Sequence, residues 1–309
     1  MTTTVYVSRG RRRRRYVLVL LALCLAAITS WKAADALAPP RQTSVATGGT
    51  TPTLDWPASG SAAVAVGGGT IRVSGATRPV PIASLAKVMT AVVVLHRHPL
   101  STNDSGFTLT ITADDVDDAR HRRSEGQSVV TVAAGERLTE RQALQALLLP
   151  SANNIALVLA RVESGGGDDF VDDMNAEARR LGMSSTIYTD PSGYAATTVS
   201  TARDQVLLAR AAMRIDAFAE IVGEPDAVIP EAGVVHNTDT LLGSDGFVGI
   251  KTGSDSAAGG CFMFAARDSS PHQLVYGVVL GQVGGPLIPA ALKAARRLAD
   301  SVRPKFHIA

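Results

Sequence analysis

The chain has 309 residues, 46 % hydrophobic and 19 % charged, with two cysteines and a formal net charge of +2. Apolar content this high excludes a disordered chain, and two cysteines exclude a small disulfide-stapled scaffold. Residues 1–38 carry seven basic residues and one acid, which leaves 23 basic against 27 acidic residues in a mildly acidic body, so no nucleic-acid partner is expected.

Arg11 to Arg15 run directly into Tyr16 to Thr29, fourteen residues without a charge. A basic stretch before an apolar run of this length reads as a secretory signal or a short membrane anchor, with everything after it outside the cytoplasm. Ala36-Leu37-Ala38 resembles a cleavage site, but Pro39 disfavours cutting there, so an uncleaved or slowly cleaved anchor is expected. Residues 39–56, rich in Pro, Thr, Gly and Ser, read as a flexible tether. Residues 57–309 then form the expected catalytic domain. Cys24 lies in the apolar run, so Cys261 has no internal disulfide partner and reads as a buried structural thiol.

In the body, Ala62–Val66 and Thr70–Val73 flank three glycines and predict a hairpin, with no Lys-Ser/Thr to make the glycines a phosphate loop. Ala83–Leu95 predicts an apolar helix closed by His96, Arg97, His98 and Pro99. No third ligand accompanies the two histidines, so no metal site is expected, and no cofactor. Asp114, Asp115, Asp117 and Asp118 read as a solvated face. Helices are expected over Thr139–Leu149, Ala152–Val162, Phe170–Leu181 and Thr201–Met213, with a loop at Gly165–Gly167. Strands follow at Gly246–Lys251, Cys261–Ala266 and Leu274–Leu280, then a closing helix over Pro289–Val302. Strands at both ends around a helical middle predict an α/β (α+β) fold, an antiparallel sheet built from both chain ends plus an inserted helical subdomain.

Two of the five lysines sit in short patterns with chemical meaning. Ser84-Leu85-Ala86-Lys87 puts a hydroxyl and an amine on one helix face, where a neutral lysine can take the serine proton. The apolar residues after Lys87 make that helix a buried one, which favours the neutral amine. Lys251-Thr252-Gly253 ends an apolar strand, and its glycine permits close approach of a ligand backbone. Ser151-Ala152-Asn153 lies on the turn between two helices, where Ser151 alone reads equally as a helix cap.

Ser-x-x-Lys, Ser-x-Asn and Lys-Thr-Gly occur in this order, 67 and 100 residues apart. That set belongs to penicillin-binding proteins and class A β-lactamases. From about Trp56 to Val302 the chain resembles the low-molecular-weight penicillin-binding proteins, specifically the serine D-alanyl-D-alanine carboxypeptidases of peptidase family S11. Further likeness lies in Gly135-Glu136 to Thr139, Met174-Asn175-Ala176 to Met183, Asp190-Pro191-Ser192-Gly193, Ser200 to Asp204, and Asn237 to Leu242.

The resemblance implies a β-lactamase/transpeptidase-like fold and trimming of the terminal D-alanine from peptidoglycan stem peptides, with β-lactams as covalent inhibitors. It implies Ser84 as nucleophile, Lys87 as its base and Ser151 as a proton relay. Asn153 would hold the substrate amide and Lys87; Lys251 would supply positive potential and Thr252 would bond the terminal carboxylate. The oxyanion hole would use the N–H groups of Ser84 and Ser254, with Gly253 between Thr252 and Ser254. Asp255 stands where the family usually has Thr and would put an acid near the carboxylate pocket. Thr238 and Asp239 replace residues that are often Arg or Asn, which would weaken carboxylate binding or change substrate choice. The chain ends soon after its last helix, so the N-terminal segment would replace the C-terminal anchor of several relatives.

The alternatives are a β-lactamase, a non-catalytic cell-wall or β-lactam sensor, and a transpeptidase with an amine acceptor. A class A β-lactamase needs a glutamate on the loop after Ser-x-Asn, and residues 182–200 contain none.

Overall fold

The computed structural model describes residues 53–102, 104–164, 167–268 and 273–303. The expected anchor, most of the tether, and Gly165 and Gly166 of the expected loop lie outside the described residues. Among the described residues no helix is long and apolar enough to cross a membrane.

Five strands form the main sheet: β1 (Ser61–Val66), β2 (Arg72–Gly75), β9 (Phe247–Asp255), β10 (Gly259–Arg267) and β11 (Leu274–Gln282). Their order is β2-β1-β11-β10-β9, antiparallel throughout, so β1 pairs with β11 and joins the two ends of the chain. Helices cover both faces, which is why β10 reads as a continuous apolar run rather than an alternating one. Phe262, Phe264 and Ala266 face a smaller core under α8 (Leu287–Val302). Cys261, Met263 and Ala265 face the main core on the helical side. Cys261 is fully buried, and burial pushes its thiol up to about 12, as suits a structural residue.

The helical half surrounds α1 (Ala86–Arg97), in which every residue from Ala86 to Leu95 is buried. Around it lie α2 (Ala113–Ser124), α3 (Glu140–Leu148), α4 (Asn153–Ser164), α5 (Gly167–Arg180), α6 (Ala202–Ala212) and α7 (Asp216–Val222). Among the described residues three two-stranded pairs add to this: β3 (Val80–Pro81) with β6 (Val199–Ser200), β4 (Thr108–Thr110) with β5 (Arg137–Thr139), and β7 (Asp226–Ile229) with β8 (Gly233–His236).

Several boundaries differ from the sequence reading for identifiable reasons. The serine turn at Ala83–Leu85 is a 3₁₀ turn ahead of α1, not its first α-helical turn. The hairpin strand expected at Thr70–Val73 runs from Arg72 to Gly75, in register with Val64 through Ser61. The aspartates at 114–118 are not merely a solvated face: Asp115 closes a capping box with Thr112 and pairs with Arg161 at 2.6 Å. Leu54 is buried and Trp56 packs on the smaller core, while Asp55 pairs with Arg297 at 2.9 Å. Those three residues of the expected tether are therefore part of the folded body.

Candidate active site

The site starts from a strained turn. Ala83 has φ 46°, a left-handed conformation that a side chain disfavours, and it turns the chain so that Ser84 faces out between buried Ile82 and Leu85. One helical turn on, Lys87 is fully buried. Its Nζ lies 2.9 Å from Ser84 Oγ and donates to the Ser192 carbonyl at 2.7 Å. Burial holds Lys87 well below the usual lysine range, with the positive charges of Lys251 and Arg122 adding to the effect and Asp190 opposing it. A neutral amine in this position donates one hydrogen to Ser192 and points its lone pair at the serine.

The carbonyl that fixes Lys87 belongs to a tightly braced loop. Asp190 Oδ2 accepts from Ser192 N–H (3.2 Å), Ser192 O–H (2.6 Å) and Tyr194 N–H (3.0 Å), and its Oδ1 accepts from Thr198 O–H (2.6 Å). Thr90 on α1 donates to the Pro191 carbonyl at 2.6 Å, which locks the loop onto the helix that carries Lys87. Gly193 has φ 79°, and a Cβ built there would stand 1.9 Å from the Ala83 carbonyl. Only glycine lets this loop meet the serine turn. Gly193→Ala is expected to lower the acylation rate about 10–100-fold, because an ångström of displacement at Lys87 misaligns the proton transfer. It should also destabilise the fold by about 2–3 kcal/mol. Stopped-time labelling and urea unfolding check the two parts.

The second motif sits on the α3–α4 turn. Ser151 has φ 67°, and its Oγ is buried without a hydrogen-bond partner. It therefore does not act as a helix cap. A strained, unpartnered hydroxyl is what a group reserved for a ligand or a moving proton looks like. Asn153 opens α4. Its N–H donates to the Ser128 carbonyl (2.7 Å) and its Nδ2 to Gln127 Oε1 (2.7 Å), an oxygen that also accepts from Arg122 at 3.2 Å. The expected contact between Asn153 and Lys87 is absent: Ser84 and Ser192 take the lysine instead.

The third motif lies within β9, not at its end, because pairing with β10 continues from Ile250 to Asp255 opposite Gly259. β9 is the edge of the sheet on the side of the serine turn. A Cβ at Gly253 would lie 3.0 Å from Ser84 N, so glycine sets the close approach of strand and nucleophile. Ser254 follows, half-buried. Lys251 is fully buried, and burial pushes its amine down to about 7 while Asp239 opposes the shift. Thr252 Oγ1 is 2.6 Å from Thr238 Oγ1. Thr238 in turn donates its N–H to the Leu149 carbonyl (3.1 Å), just before Pro150 and Ser151. This chain of bonds joins the second and third motifs.

Two of the unusual residues take roles the sequence did not give them. Asp255 Oδ1 accepts from Ala257 N–H and Ala258 N–H, both at 2.7 Å, so it braces the β9–β10 turn. Asp239 is nearly fully buried; its Oδ1 accepts from Leu241 N–H (3.0 Å) and its Oδ2 has no partner. Burial pushes its carboxyl up to about 6, against the pull of Lys251. Sequence reasoning missed the Ser192 carbonyl, Gln127 and Arg122. His96 and His98 do not converge, since they meet Glu177 and Glu163 respectively.

The chain is also similar to known proteins along most of its described length. A family profile described as D-alanyl-D-alanine carboxypeptidase matches residues 59–283. The D-alanyl-D-alanine carboxypeptidase DacB2 of Mycobacterium tuberculosis is 37 % identical over 215 residues, covering 67 % of this chain and 69 % of the relative. The D-alanyl-D-alanine endopeptidase of Pseudomonas aeruginosa is 32 % identical over 206 residues, covering 63 % of each chain. The crystal structure of the Streptomyces K15 DD-transpeptidase superposes with a TM-score of 0.70 at 28 % identity, over 82 % of this chain and 98 % of that one. With the helix-flanked antiparallel sheet, and with Lys87 and Gly253 brought against Ser84, these matches make the chain a serine peptidase of the D-alanyl-D-alanine carboxypeptidase family, S11.

Proposed function

We propose that Ser84 cleaves the bond between the two terminal D-alanines of a peptidoglycan stem peptide and forms an acyl-enzyme that water then hydrolyses. The observation that carries this reading is the fully buried Lys87 amine held between Ser84 Oγ (2.9 Å) and the Ser192 carbonyl (2.7 Å). Ser84 Oγ attacks the carbonyl carbon as its proton passes to Lys87. The negative charge on the carbonyl oxygen is taken by the N–H groups of Ser84 and Ser254, on the turn and strand that Gly253 brings together. When the C–N bond breaks, the departing nitrogen takes the proton from Lys87 through the hydroxyl of Ser151, which is otherwise unpartnered. Water repeats the attack on the ester with Lys87 again as base, which releases the shortened peptide.

Lys251 and Thr252 receive the terminal carboxylate. In the free protein the Thr252 hydroxyl is bonded to that of Thr238, which also lies 3.3 Å from the Leu149 carbonyl. The Leu149 carbonyl keeps the Thr238 N–H, so the Thr238 hydroxyl is free to turn towards Thr252. That frees the Thr252 proton for the ligand. The Asn153 side chain, with Gln127 behind it, bonds the peptide backbone. A β-lactam carries a strained acyl bond and a carboxylate in a comparable arrangement, so it acylates the same serine and stays there.

The location follows from the sequence alone. The arginine run and the apolar stretch after it anchor the chain in the cell membrane, and the catalytic domain works outside the cytoplasm on cell-wall peptides.

The test incubates the catalytic body with a fluorescent penicillin and with a synthetic pentapeptide ending in D-Ala-D-Ala. Lasting label on the proteolytic fragment carrying Ser84, together with released D-alanine, is expected. Rapid penicillin turnover without D-alanine identifies a β-lactamase, and label with no turnover of either compound identifies a sensor. Adding an amine acceptor separates hydrolysis from transfer.

A further inference from the structure

Two buried groups of opposite charge stand behind the carboxylate end of the cleft and do not pair directly. Lys251 Nζ donates to the Thr252 carbonyl at 3.1 Å, while Asp239 leaves its Oδ2 unpartnered. The loop carrying Asp239 is tied to β9 by the hydroxyl pair of Thr238 and Thr252 at 2.6 Å, so both charges belong to one rigid piece of the site. Each of the two charges acts on the other, and a buried anion that interacts with a lysine cancels part of the attraction that the lysine offers to an incoming anion. Where the resemblance to the family implies Asn or Arg, the chain carries an acid.

We propose that Asp239 is a specificity-determining residue, whose negative charge offsets Lys251 so that the ionised site distinguishes a free C-terminal carboxylate only weakly from its neutral amide. Recognition then rests on shape, on the Thr252 hydroxyl and on backbone N–H groups. The substrate class widens to peptides whose D-terminal carboxyl is masked. The inference rests on Lys251 and Thr252 being the carboxylate site of the proposed reaction.

Acid should restore the discrimination. Burial pushes the Asp239 carboxyl up to about 6, whereas Lys251 sits at about 7. Lowering the pH from 7.5 to 5.5 therefore neutralises most of Asp239 while Lys251 gains its proton, and the substrate carboxylate remains ionised. Lys87 on α1, Asp190 on its loop and Arg122 on α2 also act within this site. Their effects fall on acylation and are common to both ligands, so they cancel in a ratio of the two.

The experiment measures kcat/KM for an acyl-D-Ala-D-Ala peptide and for its C-terminal carboxamide, at pH 7.5 and 5.5, in the wild-type protein and in Asp239→Asn. Asparagine can keep an oxygen acceptor for Leu241 N–H and removes the charge, placing an NH2 where the unpartnered Oδ2 stood. In the wild type the acid-to-amide ratio is expected to rise about tenfold on acidification, through KM. In Asp239→Asn the ratio should exceed the wild-type one at pH 7.5, because the repelling anion is gone, and should rise less on acidification, because only Lys251 then titrates. A wild-type ratio indifferent to pH, or a variant ratio equal to the wild-type one at pH 7.5, overturns the proposal. Should Asp239→Asn fail to fold, the same ratio at pH 7.5 in Asp239→Ser, which also lacks the charge, decides. Loss of the functional reading looks different: neither peptide is turned over at either pH and Ser84 takes no penicillin label, which removes this proposal as well.

Discussion

Ser84→Ala is expected to eliminate penicillin labelling and to lower D-alanine release about 10⁴-fold or more, while leaving the thermal melting point within a few degrees of the wild type. The size of the effect follows from covalent catalysis, because no other group can carry the acyl chain and the residual rate depends on binding alone. The mildness of the stability change follows from the packing. Ser84 is half-buried, and the turn that presents it is held by Ile82 and Leu85, both fully buried. Lys87 loses one hydrogen-bond partner but keeps the Ser192 carbonyl. The effect on stability is then about 1 kcal/mol or less. Label that persists on the alanine variant would place the nucleophile elsewhere.

The sequence was informative wherever one-dimensional spacing coincides with a physical requirement. The apolar residues that follow Lys87 announce its burial, and it is fully buried; serine and lysine three apart do meet at 2.9 Å, although the serine sits on a 3₁₀ turn ahead of the α-helix. The same is true of β10 and β11, whose apolar runs are the consequence of a sheet covered on both faces. The helix α2 gave no such signal. Only Ala119 of its twelve residues is buried, so it shows almost no apolar period, and its one readable mark was the Thr112–Asp115 capping box. The pairs β4–β5 and β7–β8 have strands of three or four residues, too short for alternation to stand out. Strand β9 looked finished at Lys251 because Thr252, Gly253, Ser254 and Asp255 are polar or bare, yet its ladder continues four residues further. Hydropathy falls there because the strand edge meets the cleft rather than the core.

Within the site, what escaped the sequence is mostly backbone. The Ser192 carbonyl that fixes Lys87 carries no side-chain identity, and the loop that aims it was visible only as a likeness in Asp190-Pro191-Ser192-Gly193. Asp255 and Asp239 show the complementary limit. Both were marked as acids where the family has other residues, but composition cannot tell a turn brace from a buried charge. Two hydrogen bonds of 2.7 Å from the next turn decide the first case. An oxygen with no partner decides the second.

Lys87→Met is expected to separate the role of Lys87 in proton transfer from its role in packing. Methionine has nearly the length of lysine, suits a helix and tolerates a buried site. Acylation by penicillin should fall about 10²–10⁴-fold, the usual contribution of a positioned base. Stability should stay close to that of the wild type, because two effects oppose each other. The variant leaves the Ser192 carbonyl without its donor, at a cost of about 1–3 kcal/mol. It also removes a buried amine. Lys87 has a native pKa well below 10.5, so at intermediate pH the unfolded chain holds a proton that the native protein does not. More protons on the unfolded state make stability rise with pH. The penalty is absent above the unfolded pKa and grows as pH falls towards the native one, so methionine regains most at neutral pH. Lys251, at about 7, imposes a penalty of the same sign that survives in the variant. Melting points across pH 6.5 to 10 should therefore climb less steeply in Lys87→Met than in the wild type, but should still climb. The wild-type kcat/KM rises as Lys87 loses its proton, and that limb should vanish from whatever activity the variant retains. A variant that melts normally yet acylates at the wild-type rate would remove Lys87 from the proton path and leave the buried amine as packing alone.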